Sequence, residues 1–215
     1  MPSLEERWLN LCKRSKAIGR PLVYFDQLVT HYKEPHRKHH VLGHLEDMFQ
    51  EFDEVRHLAE DVNAIEFSIF FHNYVYDVTG KKDSENMSAA DFIFVASSVY
   101  LGKPLKRKVF EMIPASKHVT IPDDPDTRLF CDLDLTILGQ SKERFDQFDR
   151  DIREEYGWVG EIAFAKGRIG VLECFLPPNR ATIYLTDHFR KKYEKQAIAN
   201  LERSIAQLQN RLQPL

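Results

Sequence analysis

The amino-acid sequence predicts an all-α fold. Apolar residues recur at intervals of three and four along nearly all of the chain, as they do on the buried face of a helix. Alternating patterns typical of strands are almost absent, and residues 181–185 are the one short candidate. No Gly/Ser-rich linker, low-complexity tract or internal repeat divides the sequence. We therefore expect residues 1–215 to form a single all-helical domain.

The ends of the predicted helices follow from capping and helix-breaking residues. Pro21 suits the first turn of the second helix, and Asp61 is a candidate N-cap of the fourth. Gly139 is suited to end the seventh helix, and Ser141 starts the eighth. Periodicity and these signals together predict helices near residues 3–16, 21–32, 36–58, 61–77, 85–101, 104–116, 124–138, 141–156, 158–176 and 187–212.

Composition and charge exclude several classes of function. The chain has 43% hydrophobic and 29% charged residues, which is ordinary for a soluble globular protein, and its net charge of −3 does not suggest nucleic-acid binding. No stretch approaches the roughly 20 apolar residues that span a bilayer, and the N-terminus lacks an apolar signal core. The three cysteines are widely scattered, which favours neither a disulfide framework nor a zinc ribbon. We expect a cytoplasmic protein.

Histidine is concentrated in one part of the sequence. Five of the nine histidines lie between residues 31 and 44. Imidazole is the commonest transition-metal ligand, and His40 and His44 would share one face of the predicted third helix. In the predicted fourth helix, His72 lies on the apolar stripe, at helical spacing from Ile69. Two helices can therefore bring imidazoles together.

A carboxylate on the predicted seventh helix can complete such a site. Asp134 shares a helical face with Phe130 and Leu138, so its charge is expected among apolar neighbours and must be paired, hydrogen-bonded or coordinated to a metal. Asp132 points away from this face, and we expect it to be solvated or to act as a cap. Two imidazoles and a carboxylate suit Mn, Fe, Co, Ni or Zn better than calcium, with Mg as a further option.

Six sequence elements in a fixed order carry a family resemblance. They are residues 32–44 (Tyr, then Arg-Lys-His-His-Val-Leu-Gly-His), 71–77 (Phe-His-Asn-Tyr-Val-Tyr-Asp), 84–89, 132–139 (Asp-Leu-Asp-Leu-Thr-Ile-Leu-Gly), 152–156 and 167–168. Together they resemble the HD superfamily of metal-dependent phosphohydrolases, and most closely a bacterial-type subgroup of predicted HD phosphohydrolases. The motif core covers roughly residues 32–170. The resemblance implies a helical HD fold with additional N- and C-terminal helices and a metal between its central helices.

The resemblance also implies roles for individual residues. His44, His72 and Asp134 would be metal ligands, with His40 as the alternative to His44 in the first position. Asn73 stands where the family has the Asp of its His-Asp pair. The general acid or base would be Asp77, with Glu85 as a second candidate.

Basic residues on several predicted helices are candidates for substrate binding. Arginine forks match phosphate oxygens bidentately, and lysine supplies a point charge. The candidates are Arg37, Lys117, Arg153 and Arg168. For Arg153 and Arg168, a structural ion pair with Asp or Glu is the alternative.

Two functions stay open at this point. The first is a hydrolase that cleaves a small nucleotide or related phosphoester through a metal-activated water. The second is a non-catalytic HD-fold binding or regulatory protein, because Asn73 offers the metal a neutral oxygen where Asp would offer a negative charge. The expected partner is a small phosphorylated substrate; neither nucleic acid nor a membrane is expected. The last helix, with Leu201 and Leu208, could pack internally or form a homodimer.

Overall fold

The computed structural model describes residues 2–212, and within them the protein is all-α, as the sequence predicts. No strand occurs in the described residues. The ten α-helices are α1 (Leu4–Arg14), α2 (Pro21–Tyr32), α3 (Leu42–Val55), α4 (Val62–Phe71), α5 (Ser84–Ser98), α6 (Lys103–Met112), α7 (Pro125–Asp134), α8 (Lys142–Glu155), α9 (Glu161–Glu173) and α10 (Asp187–Leu212). Short 3₁₀ helices directly continue α3, α6 and α7 over Arg56–Leu58, Ile113–Lys117 and Leu135–Gly139.

The chain divides into two compact units, of which the first ends at Leu133 and the second begins at Asp134. The expectation of one domain over residues 1–215 stays a prediction. Within the residues that the structure describes, no helix has the length and apolar character that crossing a membrane requires.

Helix α4 is the centre of the first unit. Eight of its ten residues are buried, so it is enclosed on all sides rather than amphipathic. Trp8 of α1 packs edge-on against Phe67 and Phe70 of α4, at ring-centroid distances of 5.8 and 5.3 Å. On another side, Phe71 meets Phe92 of α5 at 5.3 Å. The segment that follows the last turn of α4 therefore starts inside the core of this unit.

Side-chain caps begin several helices, as the sequence predicts. The Asp61 carboxylate accepts a hydrogen bond from the amide of Ala64 at the start of α4. The Ser141 hydroxyl accepts one from the amide of Arg144 at the start of α8. Each such cap satisfies a main-chain donor that the helix itself leaves free, which is worth about 1 kcal/mol.

Two predicted helices lose six residues at one end in the structure. The helix expected over 36–58 begins only at Leu42, and the one expected over 61–77 ends at Phe71. The segment after α4 turns away because other groups take its main-chain atoms. The carbonyls of Asn73 and Tyr74 accept hydrogen bonds from Arg37, and the amide of Val75 donates to the Ser88 hydroxyl. His40 consequently lies in an irregular segment, and the prediction that it shares a helical face with His44 is wrong.

In the second unit, α10 and the segment just before it pack closely against the 3₁₀ helix Leu135–Gly139. The Tyr184 hydroxyl donates to the Leu135 carbonyl at 3.0 Å, and the Asn200 amide donates to the Leu138 carbonyl at 2.9 Å. A Cβ atom on Gly139 would lie 2.4 Å from the Cβ of Tyr193, so close that one of the two would have to shift. Gly139 ends this helical stretch as predicted, but glycine is needed there for the close approach of α10.

The one predicted strand candidate, residues 181–185, is irregular. The amides of Ile183 and Tyr184 both donate to the Glu194 carboxylate, at 2.8 and 3.1 Å. A side chain of α10 thus takes the donors that a neighbouring strand would have needed.

Candidate metal centre

His72 is placed by the end of α4. It is the C-terminal cap residue of that helix, and its side chain is completely buried. Its Nδ1 lies 2.9 Å from the main-chain oxygen of Ile69. Since a carbonyl oxygen can only accept, Nδ1 carries the proton, and in the neutral ring the lone pair is then on Nε2. A main-chain partner of this kind sets the tautomer and the ring orientation of metal-binding histidines.

His44 approaches His72 from the first turn of α3. It is 6% exposed, and its Nε2 lies 3.1 Å from Nε2 of His72. Two nitrogens each about 2.0–2.1 Å from one tetrahedral zinc ion would be about 3.3 Å apart, so the observed distance is close to that of two ligands on one ion. The same spacing permits a hydrogen bond between the two rings when no ion is bound.

Asp134 completes the group. It is the last residue of α7, whose other residues all belong to the first unit. One ligand atom from each of His44, His72 and Asp134 lies within 4.8 Å of the other two, and this is the one such group of His, Cys, Asp or Glu in the described residues. Nitrogen, nitrogen and carboxylate oxygen are a donor set that transition metals and zinc accept readily.

The burial of the two aspartates of α7 differs from the prediction. Asp132, expected to be solvated, is completely buried, whereas Asp134 is half-buried. The reason is that α7 is buried on more than one face, since seven of its ten residues are buried. The single apolar stripe assumed from the sequence therefore does not describe this helix.

The other histidines of the 31–44 run surround the group. The ring of His39 lies 4.9 Å from the ring of His44, and the ring of His40 lies 4.2 Å from that of Tyr76. His36 places Nε2 3.0 Å from the carbonyl oxygen of Tyr76. The three-membered group contains His44 and not His40.

Arg37 connects the chain segment before His44 with the segment after His72. Its side chain is buried between the rings of Tyr32 and Tyr76, which lie 5.2 and 5.3 Å from the guanidinium carbon. The guanidinium donates to the carbonyls of Asn73 and Tyr74 at 2.6 and 3.0 Å, and to the Glu34 carboxylate at 2.9 Å. We call these contacts the Arg37 clamp.

The clamp commits Arg37 to main-chain positions next to the metal group. Asn73 directly follows His72, so the clamp acts on the residue beside a candidate ligand. The prediction that Arg37 binds substrate phosphate did not include this contact. The aromatic residues around it and the glutamate three positions before it were the available signals.

The candidate acid or base residues lie in the loop before α5 and in its first turn. The Asp77 carboxylate accepts hydrogen bonds from the hydroxyl and amide of Thr79 and from the amides of Lys81 and Lys82. These bonds, led by the one from the Thr79 hydroxyl, lower the pKa of Asp77. Asp77 therefore stays ionised at neutral pH. Glu85 occupies the first turn of α5.

The remaining predicted phosphate-binding residues have acidic or carbonyl partners. Lys117 donates to Asp83 at 2.7 Å, and this bond lowers the pKa of Asp83. In the second unit, Arg153 donates to two main-chain carbonyls, and Arg168 donates to Asp149 at 2.8 Å. Arg153 also pairs with Glu161, so both arginines have the kind of acidic partner that the structural alternative expected.

Comparison of the chain with protein-family models, with curated proteins and with solved structures gave no match in any of the three searches. The HD resemblance stays a prediction from the motifs.

Proposed function

We propose that this protein is a metal-dependent phosphohydrolase that acts on a small nucleotide or a related phosphoester. The observation that carries the proposal is the convergence of His44, His72 and Asp134, whose ligand atoms lie within 4.8 Å of one another. The six HD-like motifs support the reaction class, because three of them contain these residues.

The donor set favours a catalytic over a structural metal site. Structural zinc sites usually have four protein ligands, whereas catalytic sites have three and leave a position for water or substrate. Three protein ligands on Mn, Fe, Co, Ni or Zn would leave such a position. When bound, the ion would polarise a phosphoryl oxygen and lower the pKa of a coordinated water.

The protein's own groups would hold this site in shape. The hydrogen bond from His72 Nδ1 to the Ile69 carbonyl directs the Nε2 lone pair towards the group. The ring of Phe130 meets the His72 ring edge-on at 5.9 Å and shields that side of it from water. The Arg37 clamp holds the main chain at Asn73. Asp134 would supply the one anionic ligand of the set.

The low pKa of Asp77 favours a role as a proton acceptor over a role as a proton donor. A general acid must carry a proton at the working pH, and a carboxylate that accepts four hydrogen bonds does not. Glu85 is the remaining candidate for a proton donor.

A second candidate function is a metal-binding protein without hydrolytic activity. The observation that favours it is Asn73, a neutral residue in the position where the HD superfamily, which the chain resembles, has an aspartate. With fewer negative charges near it, the ion would be more electrophilic but less securely held, so the metal would be bound more weakly.

Metal analysis and activity assays on matched variants test both candidates. The purified protein is analysed for bound metals and then assayed with nucleotides and other phosphoesters in Mn²⁺, Co²⁺, Ni²⁺ and Zn²⁺. The same assays are made on Asn73→Asp, and on His72→Ala as the negative control. Metal-dependent release of phosphate by the unaltered chain, abolished in His72→Ala, supports the hydrolase. Turnover by Asn73→Asp alone supports the second candidate. A chain that retains one metal per molecule but shows no turnover with either residue at position 73 would refute the hydrolase.

A further inference from the structure

A cavity in the second unit is lined mainly by arginines and acids from α8, α9 and α10. It has a volume of about 440 Å³, and its wall includes four arginines and three carboxylates. That volume lies within the range of small-molecule sites, about 300–1,000 Å³. A polar wall of this kind has two interpretations. Either all of its charges are paired with one another, or it binds an additional charged group.

Two of the carboxylates are neutralised by their neighbours. Asp149 accepts hydrogen bonds from both Arg168 and the Ser204 hydroxyl. Asp146 pairs with Arg203, which is not part of the cavity wall. The third carboxylate, Glu154, is exposed at the surface of α8. Within the described residues, Glu154 is therefore the one carboxylate of the wall without an ion-pair partner, against four arginines.

The arginines of the wall, by contrast, have more N–H donors than the described residues accept. Arg153 and Arg211 share one carboxylate, that of Glu161. Within residues 2–212, Arg150 donates one hydrogen bond, to the side-chain oxygen of Gln147. Arg168 is mostly buried, yet its guanidinium donates one hydrogen bond in the described residues, from Nη2 to Asp149, and its Nε donates none. Guanidinium groups with free edges match the oxygens of phosphate and carboxylate.

An apolar surface accompanies these donors. Phe164 and Leu208 line the same cavity, and the guanidinium carbon of Arg153 lies 4.6 Å from the centre of the Phe164 ring. Arg153 is held there by bonds to the carbonyls of Tyr156 and Val159. The cavity thus combines a fixed positive group, two arginines with available donors, and an aromatic wall.

We infer that this cavity binds a small molecule that carries an oxyanion, either phosphate or carboxylate, through Arg150 and Arg168, with its apolar part against Phe164. The site is made entirely of residues of the second unit, and the inference does not depend on the proposed metal chemistry.

Calorimetric titration of the full chain tests the inference. Inorganic phosphate, pyrophosphate and citrate are titrated separately at constant ionic strength into the unaltered protein and into His72→Ala. We expect saturable binding of at least one anion at one site per chain, and the same binding in His72→Ala, since the metal group takes no part. Preference for phosphate and pyrophosphate over citrate, or the reverse, identifies the oxyanion.

Two arginine variants locate the site. Arg150→Gln removes an exposed guanidinium that has no carboxylate partner, so the fold is not expected to change; binding should weaken about 10-fold, as for the loss of one charged hydrogen bond. Arg168→Lys keeps the positive charge near Asp149 but loses the second edge of the fork, and should also weaken binding. Arg107→Gln, at an 80%-exposed arginine of the first unit, is the matched control.

Three results would overturn the inference, two of them at the cavity itself. One is the absence of saturable binding of all three anions to the unaltered protein. The other is binding to Arg150→Gln and Arg168→Lys with unaltered affinity. Binding that disappears in His72→Ala would likewise assign the anion to the metal centre and remove the proposed site.

Discussion

Two arrangements of polar side chains in this protein differ in how their charges are balanced. In the first, His44 and His72 of the first unit direct their Nε2 atoms to within 3.1 Å of each other, and Asp134, the residue at which the second unit begins, adds an acceptor nearby. In the second, arginines meet carboxylates, as in the pairs of Arg168 with Asp149 and Arg203 with Asp146. Opposite charges compensate each other without a further component. Groups that converge with lone pairs and negative charge are suited to hold a cation, which the second arrangement does not need.

The largest effect is expected when a ligand of the candidate metal group is removed. His72→Ala removes one of three ligands and should lower the affinity for Zn²⁺ or Co²⁺ by more than about 100-fold, since even partners of ligands are worth 10- to 100-fold. His57→Gln, at an exposed histidine of the first unit, and Asp149→Asn in the second unit should retain the metal. Competition with a chromophoric chelator measures the affinities. Equal loss of metal from Asp149→Asn would show that the contrast between the two arrangements is false.

The next effect concerns a buried charge of the first unit. Arg37→Gln leaves the Glu34 carboxylate and the carbonyls of Asn73 and Tyr74 without their donor, and should lower the free energy of unfolding by about 3 kcal/mol.

The control for Arg37→Gln comes from the second unit. Arg203→Gln breaks a partly exposed pair with Asp146 and should cost about 1 kcal/mol or less. Urea unfolding of both variants measures the difference. Equal losses would mean that the Arg37 clamp is no stronger than a surface ion pair.

A steric change separates packing from charge in the second unit. Gly139→Ala places a methyl group 2.4 Å from the Cβ of Tyr193 and 2.8 Å from the Tyr184 hydroxyl, and should cost about 1–3 kcal/mol by forcing α10 away. Gly167→Ala has no atom within 4 Å of the new methyl group and lies inside α9, so it should be neutral or stabilise by up to about 1 kcal/mol. Thermal unfolding distinguishes the two. A neutral Gly139→Ala would contradict the close approach of α10.

The smallest effect depends on pH. The pKa of Asp77 is lowered in the folded protein, so its hydrogen bonds stabilise the fold above the ordinary value of 3.8, and that contribution is lost as the pH falls through the lower folded value. Asp77→Asn should be less stable than the unaltered chain at pH 7 and pH 5, by the same amount. The difference should shrink below about pH 4. Urea midpoints at pH 7, 5 and 3 measure it. A difference that stays constant to pH 3 would mean that the carboxylate contributes nothing through its charge.

The sequence predicted the helices well where local signals decide them. Asp61 and Ser141 cap the helices that they were expected to start, and α2 and α10 have the predicted bounds. Periodicity failed at residues 36–41 and 72–77. There the structure depends on Arg37, which contacts main-chain atoms more than thirty positions away, and no local pattern contains that information.

The members of the candidate site could be predicted from the sequence, but the contacts that hold them in place could not. His44, His72 and Asp134 were named from the motifs, and the structure brings these three together. The burial of Asp132 and the main-chain role of Arg37 were not foreseen. Both depend on how many sides of an element are covered by others, which a single sequence does not show for helices as enclosed as α4 and α7.

The hydrogen bond between His72 and Ile69 has a consequence for the end of α4. The last carbonyls of a helix lack amide partners, and here an imidazole proton supplies one of them. The ring that would bind the ion is thus also the group that finishes the helix. If that turn frays, the His72 ring is free to rotate and its lone pair no longer points to the other ligands. An ion bound to Nε2 would in turn slow the fraying. Amide exchange in the last turn of α4 would therefore report on occupancy of the metal centre, even with no substrate present.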